Sequence, residues 1–291
     1  MNEHFLARRE MVNERLAKLA SGASAPLVLR KPLEKAITSP GKRVRGVLTI
    51  TVGEALGAKS AGLVDAAAAF ELIHASSLIL DDLPCMDDAE LRRGEPALHR
   101  AFGEDLAVLS AVALLNEAYA LVAASHTALK PRRWPLNTVV ERVVGAVGWD
   151  GTIGGESVDL HCEAETLDFH TLEYIHSRKT GALFVASAAV GAMLAGASDA
   201  MLRSVEAYAK NLGLAFQITD DILDATSSSA TLGKDVGKDE GKLTFVRLAG
   251  VEGARQLNRE LIETSIRAIR PLGSAAEPLM ALAMMLRDRT S

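Results

Sequence analysis

Apolar residues recur three and four positions apart along most of the chain, with few of the strict alternations that a half-buried strand needs. The pattern predicts helices almost throughout. Proline and glycine mark the breaks. Pro32, Pro40, Pro84, Pro96, Pro131 and Pro135 are expected between or at the ends of the early helices, and Pro271 and Pro278 at the late ones. The polar run 130–135 interrupts the pattern, which resumes at similar density on both sides. It is expected as a loop inside one domain spanning residues 1–291. The run 226–242, rich in Ser, Gly and Lys, is the longest stretch without an apolar face and is expected as a lid-like loop.

One run, 181–198, carries no charge. Its length is near the lower limit of a membrane span, about 17–25 residues. Its Ala and Gly content suits a helix packed tightly in a bundle, so no transmembrane segment is expected. The first residues have no continuous apolar stretch of the kind a secretory signal needs. Composition agrees with helix: 48% of the 291 residues are hydrophobic and only 4% aromatic, with long Ala- and Leu-rich stretches. A net charge of −5 argues against a general nucleic-acid binder. Two cysteines, Cys85 and Cys162, do not make a disulfide framework, and a cytoplasmic protein is expected.

Two aspartate clusters change the picture. In the first, Asp81-Asp82-Leu83-Pro84-Cys85-Met86-Asp87-Asp88 follows the apolar turn Ser77-Leu78-Ile79-Leu80. Asp87 would lie about 240° from Asp81 on a straight helix. Pro84 has no N–H for the Leu80 carbonyl, so the helix is expected to end or kink, and Asp87 can swing back. In the second, Gln217-Ile218-Thr219-Asp220-Asp221-Ile222-Leu223-Asp224, Asp220 and Asp224 share one face with Gln217 a turn earlier. A single such cluster suits a solvated helix end. Two of them directly after apolar turns favour a hard cation such as Mg²⁺, which bridges carboxylates to substrate phosphates. The Gly and closing Glu of a Ca²⁺ loop are absent.

These blocks, with Gly41-Lys42-Arg43-Val44-Arg45, Leu91-Arg92-Arg93-Gly94, Lys179-Thr180-Gly181 and Gly233-Lys234-Asp235 in order, resemble the trans-isoprenyl diphosphate synthases, the family of farnesyl and geranylgeranyl diphosphate synthases. The resemblance runs from about residue 40 to 250. It implies an all-α bundle around a deep central cavity, with the two Asp motifs facing each other at its mouth, and a homodimer. It also implies condensation of isopentenyl diphosphate with an allylic diphosphate (dimethylallyl, geranyl or farnesyl), with three Mg²⁺ ions when substrate is bound. By the same resemblance Asp81, Asp87 and Asp220 ligate metal, and Asp82, Asp221 and Asp224 bind metal or its waters. Lys42, Arg45, His74 and Arg93 hold isopentenyl diphosphate; Arg92, Lys179 and Lys234 hold the allylic diphosphate. Thr180 and Gln217 turn oxygen dipoles to the carbocation. No protein base is assigned, because released pyrophosphate can take the last proton.

The sequence departs from the family pattern at Gly46, which follows Arg45 where a proline is usual, and at Leu80, where a histidine is common. Glu156 in Gly154-Gly155-Glu156 replaces a glutamine, and Ala111-Val112 replaces a Gly-Asp pair. Ser76 and Ser77, five and four positions before Asp81, are small where fifteen-carbon synthases often carry a ring. A twenty-carbon product is therefore expected, with Phe70 as a candidate pocket floor and farnesyl diphosphate as the alternative. A terpene cyclase, a noncatalytic subunit and a purely structural bundle are the rival readings. The cyclase needs no second diphosphate site, and a noncatalytic subunit is expected to have lost metal ligands.

Overall fold

The computed structural model describes residues 3–162, 168–226 and 244–288. Helices α1 (Glu3–Gly22), α2 (Leu27–Thr38), α3 (Val44–Ala55) and α4 (Ser60–Asp81) lead into a two-residue ribbon, β1 (Leu91–Arg92) and β2 (Glu95–Pro96). Then come α5 (Leu98–Phe102), α6 (Glu104–Leu129), α7 (Leu136–Val147), α8 (Thr152–His161) and α9 (Phe169–His176). A single π-helical turn, Ser177–Gly181, joins α9 to α10 (Ala182–Leu194). After α11 (Asp199–Thr226) follow α12 (Phe245–Ala268), a 3₁₀ segment Arg270–Ala276, and α13 (Glu277–Arg287).

The Ala-rich pattern has a direct packing consequence. α10 is buried on nearly every side, from Leu183 and Phe184 to Met193 and Leu194, and lies against α3, α7 and α11. A helix that is apolar all round belongs in the middle of a bundle, and small side chains let its neighbours approach closely. Most of the uncharged run 181–198 is thus a 13-residue core helix, Ala182–Leu194. α4 packs along α6, and both are long and apolar enough to cross a bilayer by length and composition alone. Polar pins fix the crossings. The Thr49 hydroxyl meets the Ser187 carbonyl at 3.1 Å between α3 and α10, and Ser125 Oγ accepts the Ala66 N–H at 2.8 Å between α6 and α4. Tyr208 Oη donates to the Leu279 carbonyl at 2.8 Å, tying α11 to α13.

Two local features differ from expectation. Pro32 lies inside α2. The carbonyl it leaves without a helical donor belongs to Val28 on the exposed first turn, where water can take the bond. The β-ribbon has no alternating pattern to announce it. It turns on Arg93 and Gly94, both at positive φ (57° and 80°), as tight hairpins require. Residues 130–135 form the connection between α6 and α7. The proposed lid falls almost wholly on residues 227–243, outside the described residues, and so does Lys234.

Candidate active site

The first aspartate cluster sits where α4 stops. Beyond Asp81 the chain folds into a tight turn: Met86 N–H donates to the Leu83 carbonyl and Asp87 N–H to the Asp81 carbonyl, each at 2.9 Å. Asp88 takes the left-handed conformation at φ 47°. The chain doubles back at Pro84, and Asp87 rejoins Asp81. The Asp81 carboxyl is pushed up to about 7, first by burial and then by Glu156 and Asp87, against the pull of Lys179 and Arg92.

Asp82 lies about 100° further round the helix and points elsewhere. It is buried, and its two oxygens accept from Arg92 Nε at 3.0 and 3.1 Å. Asp221 repeats the arrangement on α11. Its Oδ1 accepts from Gln217 Nε2 at 3.1 Å and its Oδ2 from the Phe245 N–H at 3.0 Å, closing α11 against the start of α12. Burial raises its carboxyl to about 6 despite those bonds. Asp82 and Asp221, expected beside the metals, are turned into the fold instead. Asp81 and Asp87 form one acidic face, and Asp220 and the exposed Asp224 form the other. The field of Asp220 reaches Arg45 at the N-terminus of α3.

Lys179 and Thr180 belong to the π turn, whose wider coil displaces them from the rows of the flanking helices. α8 crosses this turn at Gly155, where a Cβ would stand 2.4 Å from the Lys179 nitrogen. Only glycine fits there. The close crossing brings Lys179 Nζ within 2.7 Å of Glu156 Oε2 and 2.6 Å of Asp159 Oδ2. Burial opposes the ammonium charge, but Asp159 and Glu156 outweigh it, and its pKa lies above the usual lysine range. Thr180 Oγ1 donates to Gln217 Oε1 at 3.3 Å, while the Gln217 amide donates to Asp221. The amide is therefore held with its oxygen toward Thr180.

Two turns before Asp81 on α4 a cationic nest surrounds His74, which lies seven positions earlier and on the same face. Burial, then Arg45, Arg93, Arg92 and Arg43, hold the imidazole well below its usual pKa, so it is neutral at pH 7. Arg43 and Arg93 both take left-handed backbone conformations. Arg93 donates to the Pro40 carbonyl, and Arg43 donates to the Ser39 carbonyl at 2.6 Å. Arg45 is buried over the Phe184 ring at 5.0 Å, and its Nε has no hydrogen-bond partner. Lys42 is exposed at the edge. A 70 Å³ cavity lies here, bounded by Arg43, His74, Asp82, Arg92 and Arg93. Several cations around a neutral acceptor make an anion site.

The polyprenyl synthetase family profile matches residues 26–275. The chain belongs to that family. It is a trans-prenyltransferase. Geranylgeranyl pyrophosphate synthase 9 (chloroplastic) of Arabidopsis thaliana is 38% identical over 294 residues, covering 98% of this chain and 81% of the relative. Synthase 11 of the same organism is 40% identical over 271 residues, covering 91% and 75%. Among solved structures, an FPP/GFPP synthase from Zymomonas mobilis superposes with a TM-score of 0.84 at 31% identity, covering 97% of this chain and 98% of that one. A geranyltransferase from Legionella pneumophila gives 0.85 at 29%, covering 98% and 96%.

In this prenyltransferase the residues expected to set product length divide. Ser76 is buried, with its hydroxyl on the Ala111 carbonyl at 2.8 Å, and serves the α4–α6 contact rather than a pocket wall. Ser77 is half-buried, donates back to the His74 carbonyl at 3.0 Å, and shares the Asp81 face. Phe70, seven positions earlier and fully buried, lies on that same stripe about 10 Å further down. The site also contains two residues that neither periodicity nor the resemblance singles out. Arg43 stands between Lys42 and Arg45 in the first basic block. Asp159 stands three positions after Glu156, the spacing of one helix face.

Proposed function

We propose that the enzyme condenses isopentenyl diphosphate with an allylic diphosphate in a Mg²⁺-dependent reaction and releases geranylgeranyl diphosphate. The observation that carries this reading is the pair of separate cationic groups: the arginine nest around neutral His74, and Lys179 in the field of Asp81. One chain with two such groups suits a reaction of two diphosphates. Among the described residues no group of three His, Cys, Asp or Glu is close enough to hold a cation by itself. That fits Mg²⁺, which keeps waters and takes substrate phosphate oxygens alongside one or two carboxylates. Asp81, Asp87, Asp220 and Asp224 would hold it. When bound, the metal neutralises charge growing on the diphosphate leaving group.

The protein's own groups orient the two reactants. Lys179 supplies a fixed positive charge to the allylic diphosphate as its C–O bond breaks and the electron pair stays on oxygen. Thr180 and Gln217 present oxygens, held by Asp221, to the cation left on carbon. The nest of Arg45, His74 and Arg93 holds isopentenyl diphosphate so that its double bond forms the new C–C bond. The departing proton goes to a pyrophosphate oxygen. We further propose a homodimer, because Val108, Leu109 and Val112 leave an apolar stripe exposed on α6, Val144 is exposed on α7, and Trp149 is 91% exposed. Light scattering is expected to give twice the 30.9 kDa chain mass, and a monomer would refute it. For the reaction, the purified protein is incubated with isopentenyl diphosphate, Mg²⁺ and each allylic primer, and products are identified by mass. A twenty-carbon main product is expected; fifteen carbons would favour farnesyl diphosphate, and none would sink the reading.

A further inference from the structure

Glu156 and Asp159 both hold Lys179, and the charge of neither has an assigned use. The Glu156 side chain is buried at the crossing of α8 and the π turn. One oxygen, Oε2, holds Lys179 Nζ at 2.7 Å, while the other, Oε1, is buried without a hydrogen-bond partner and the group lies in the field of Asp81. Asp159 holds the same ammonium at 2.6 Å. Two carboxylates on one face of α8 therefore share a single positive charge, and the local balance is one negative charge rather than neutrality. A buried carboxylate with an unpartnered oxygen is costly where a neutral amide of the same shape would fit, so the charge itself has an effect to explain.

We propose that Glu156 is a positioning residue that makes diphosphate capture metal-first: it confines Lys179 between itself and Asp159, so that an allylic diphosphate gains the ammonium only after divalent cations have neutralised the Asp81 face. Without metal, a polyanionic diphosphate meets a net negative surface and a lysine already engaged. With metal on Asp81 and Asp87, the carboxylates are compensated and Lys179 can turn one of its three donors to phosphate. Glu156→Gln keeps the shape and removes one unit of charge. It is expected to release the lysine for phosphate while weakening the attraction of the face for cations.

The inference rests on the Mg²⁺-dependent reading of the site, and direct binding separates the two. Calorimetric titration with geranyl S-thiolodiphosphate, an unreactive analogue, is run in EDTA and in Mg²⁺ for the wild-type chain, E156Q, D159N, K179A and E156Q/K179A. Relative to the wild type, E156Q is expected to bind about tenfold tighter in EDTA, the size of one charge-assisted hydrogen bond from the freed lysine to phosphate. It is also expected to need severalfold more Mg²⁺ for half-saturation. D159N, which frees the other side of the same ammonium, tightens EDTA binding in the same direction. The gain in EDTA is lost in the double variant, because it acts through Lys179. Unchanged affinity in E156Q and D159N overturns the proposal, as does an EDTA gain that survives in E156Q/K179A. Failure of the wild type to bind in Mg²⁺ refutes the underlying reading instead.

Discussion

Asp82 and Arg92, ten residues apart, close on each other with both carboxylate oxygens accepting from one guanidinium nitrogen at 3.0 and 3.1 Å. The pair joins the end of α4 to the β-ribbon and so fixes the turn that carries Asp87. Asp82 is almost wholly buried, and Arg92 keeps about a quarter of its side chain exposed (4% and 27%). Removing the carboxylate leaves a largely buried cation in the weaker fields of Asp81 and Asp87. Asp82→Asn is expected to cost about 2–4 kcal/mol, at the lower side of buried pairs because water reaches the arginine. Urea unfolding with an unchanged m-value measures it. A loss below half a kcal/mol would show that the pair does not hold the turn.

Its neighbour Asp81 behaves in the opposite sense. Its carboxyl is pushed up to about 7 in the folded protein, from an ordinary value of 3.8, through burial and then Glu156. Between about pH 4 and 7 the metal-free fold therefore holds a proton that the unfolded chain has released. Stability is highest below that window and falls as pH rises through it. Metal-free melting temperature is expected to drop from pH 5 to pH 8, and Asp81→Asn to flatten that drop and raise the value at pH 8. Cation binding runs the other way, weakening below pH 7 as protons compete for the carboxylate. A slope identical in wild type and Asp81→Asn contradicts this.

The contrast between these two aspartates marks what was legible in the sequence. Helical periodicity, the stop at Pro84 and the return of Asp87 all follow from local chemistry, and they emerged as expected. The division of labour within each Asp-Asp pair did not. A one-residue step turns a side chain by about 100°, and whether that direction is core or cavity depends on a distant partner. Arg92 decides it for Asp82, and Phe245 for Asp221. The same applies to Ser76 and Ser77. Lys179 was legible as a cation, but its two carboxylate partners depend on the close crossing at Gly155, which no local pattern encodes.

Gly46, a departure from the family pattern, has a packing reason. Its N–H belongs to the unpaired first turn of α3, and Glu71 on α4 accepts it at 2.9 Å. A Cβ there would stand 3.0 Å from the Ala67 carbonyl oxygen and 3.1 Å from Val12. Helix propensity alone predicts that Gly46→Ala stabilises by up to about 1 kcal/mol. The crowding points the other way, to a loss of about 1–3 kcal/mol. Gly46→Pro is expected to cost more, since it also removes the donor from a buried carboxylate. Denaturant unfolding of both variants decides it, and a stabilised alanine variant would mean that the α3–α4 contact yields easily.

Product length tests the serine pair directly. Ser77 shares the Asp81 face with Phe70, and its hydroxyl donates within its own helix. Under the proposed twenty-carbon reading, a ring at this position occupies the stripe between Asp81 and Phe70, so Ser77→Phe is expected to lower the twenty- to fifteen-carbon product ratio about tenfold, the effect of modest overpacking in the longer product's transition state. Phe70→Ala removes the floor and is expected to lengthen products, at a stability cost of about 3–5 kcal/mol for a buried ring. Ser76→Phe is the control. Its side chain would enter the α4–α6 contact at the Ala111 carbonyl, so it is expected to lower the melting temperature without a selective change in chain length. Product analysis by mass, beside melting curves for all three, separates pocket from packing. A product distribution unchanged in Ser77→Phe but shortened in Ser76→Phe would reverse the assignment of the two serines.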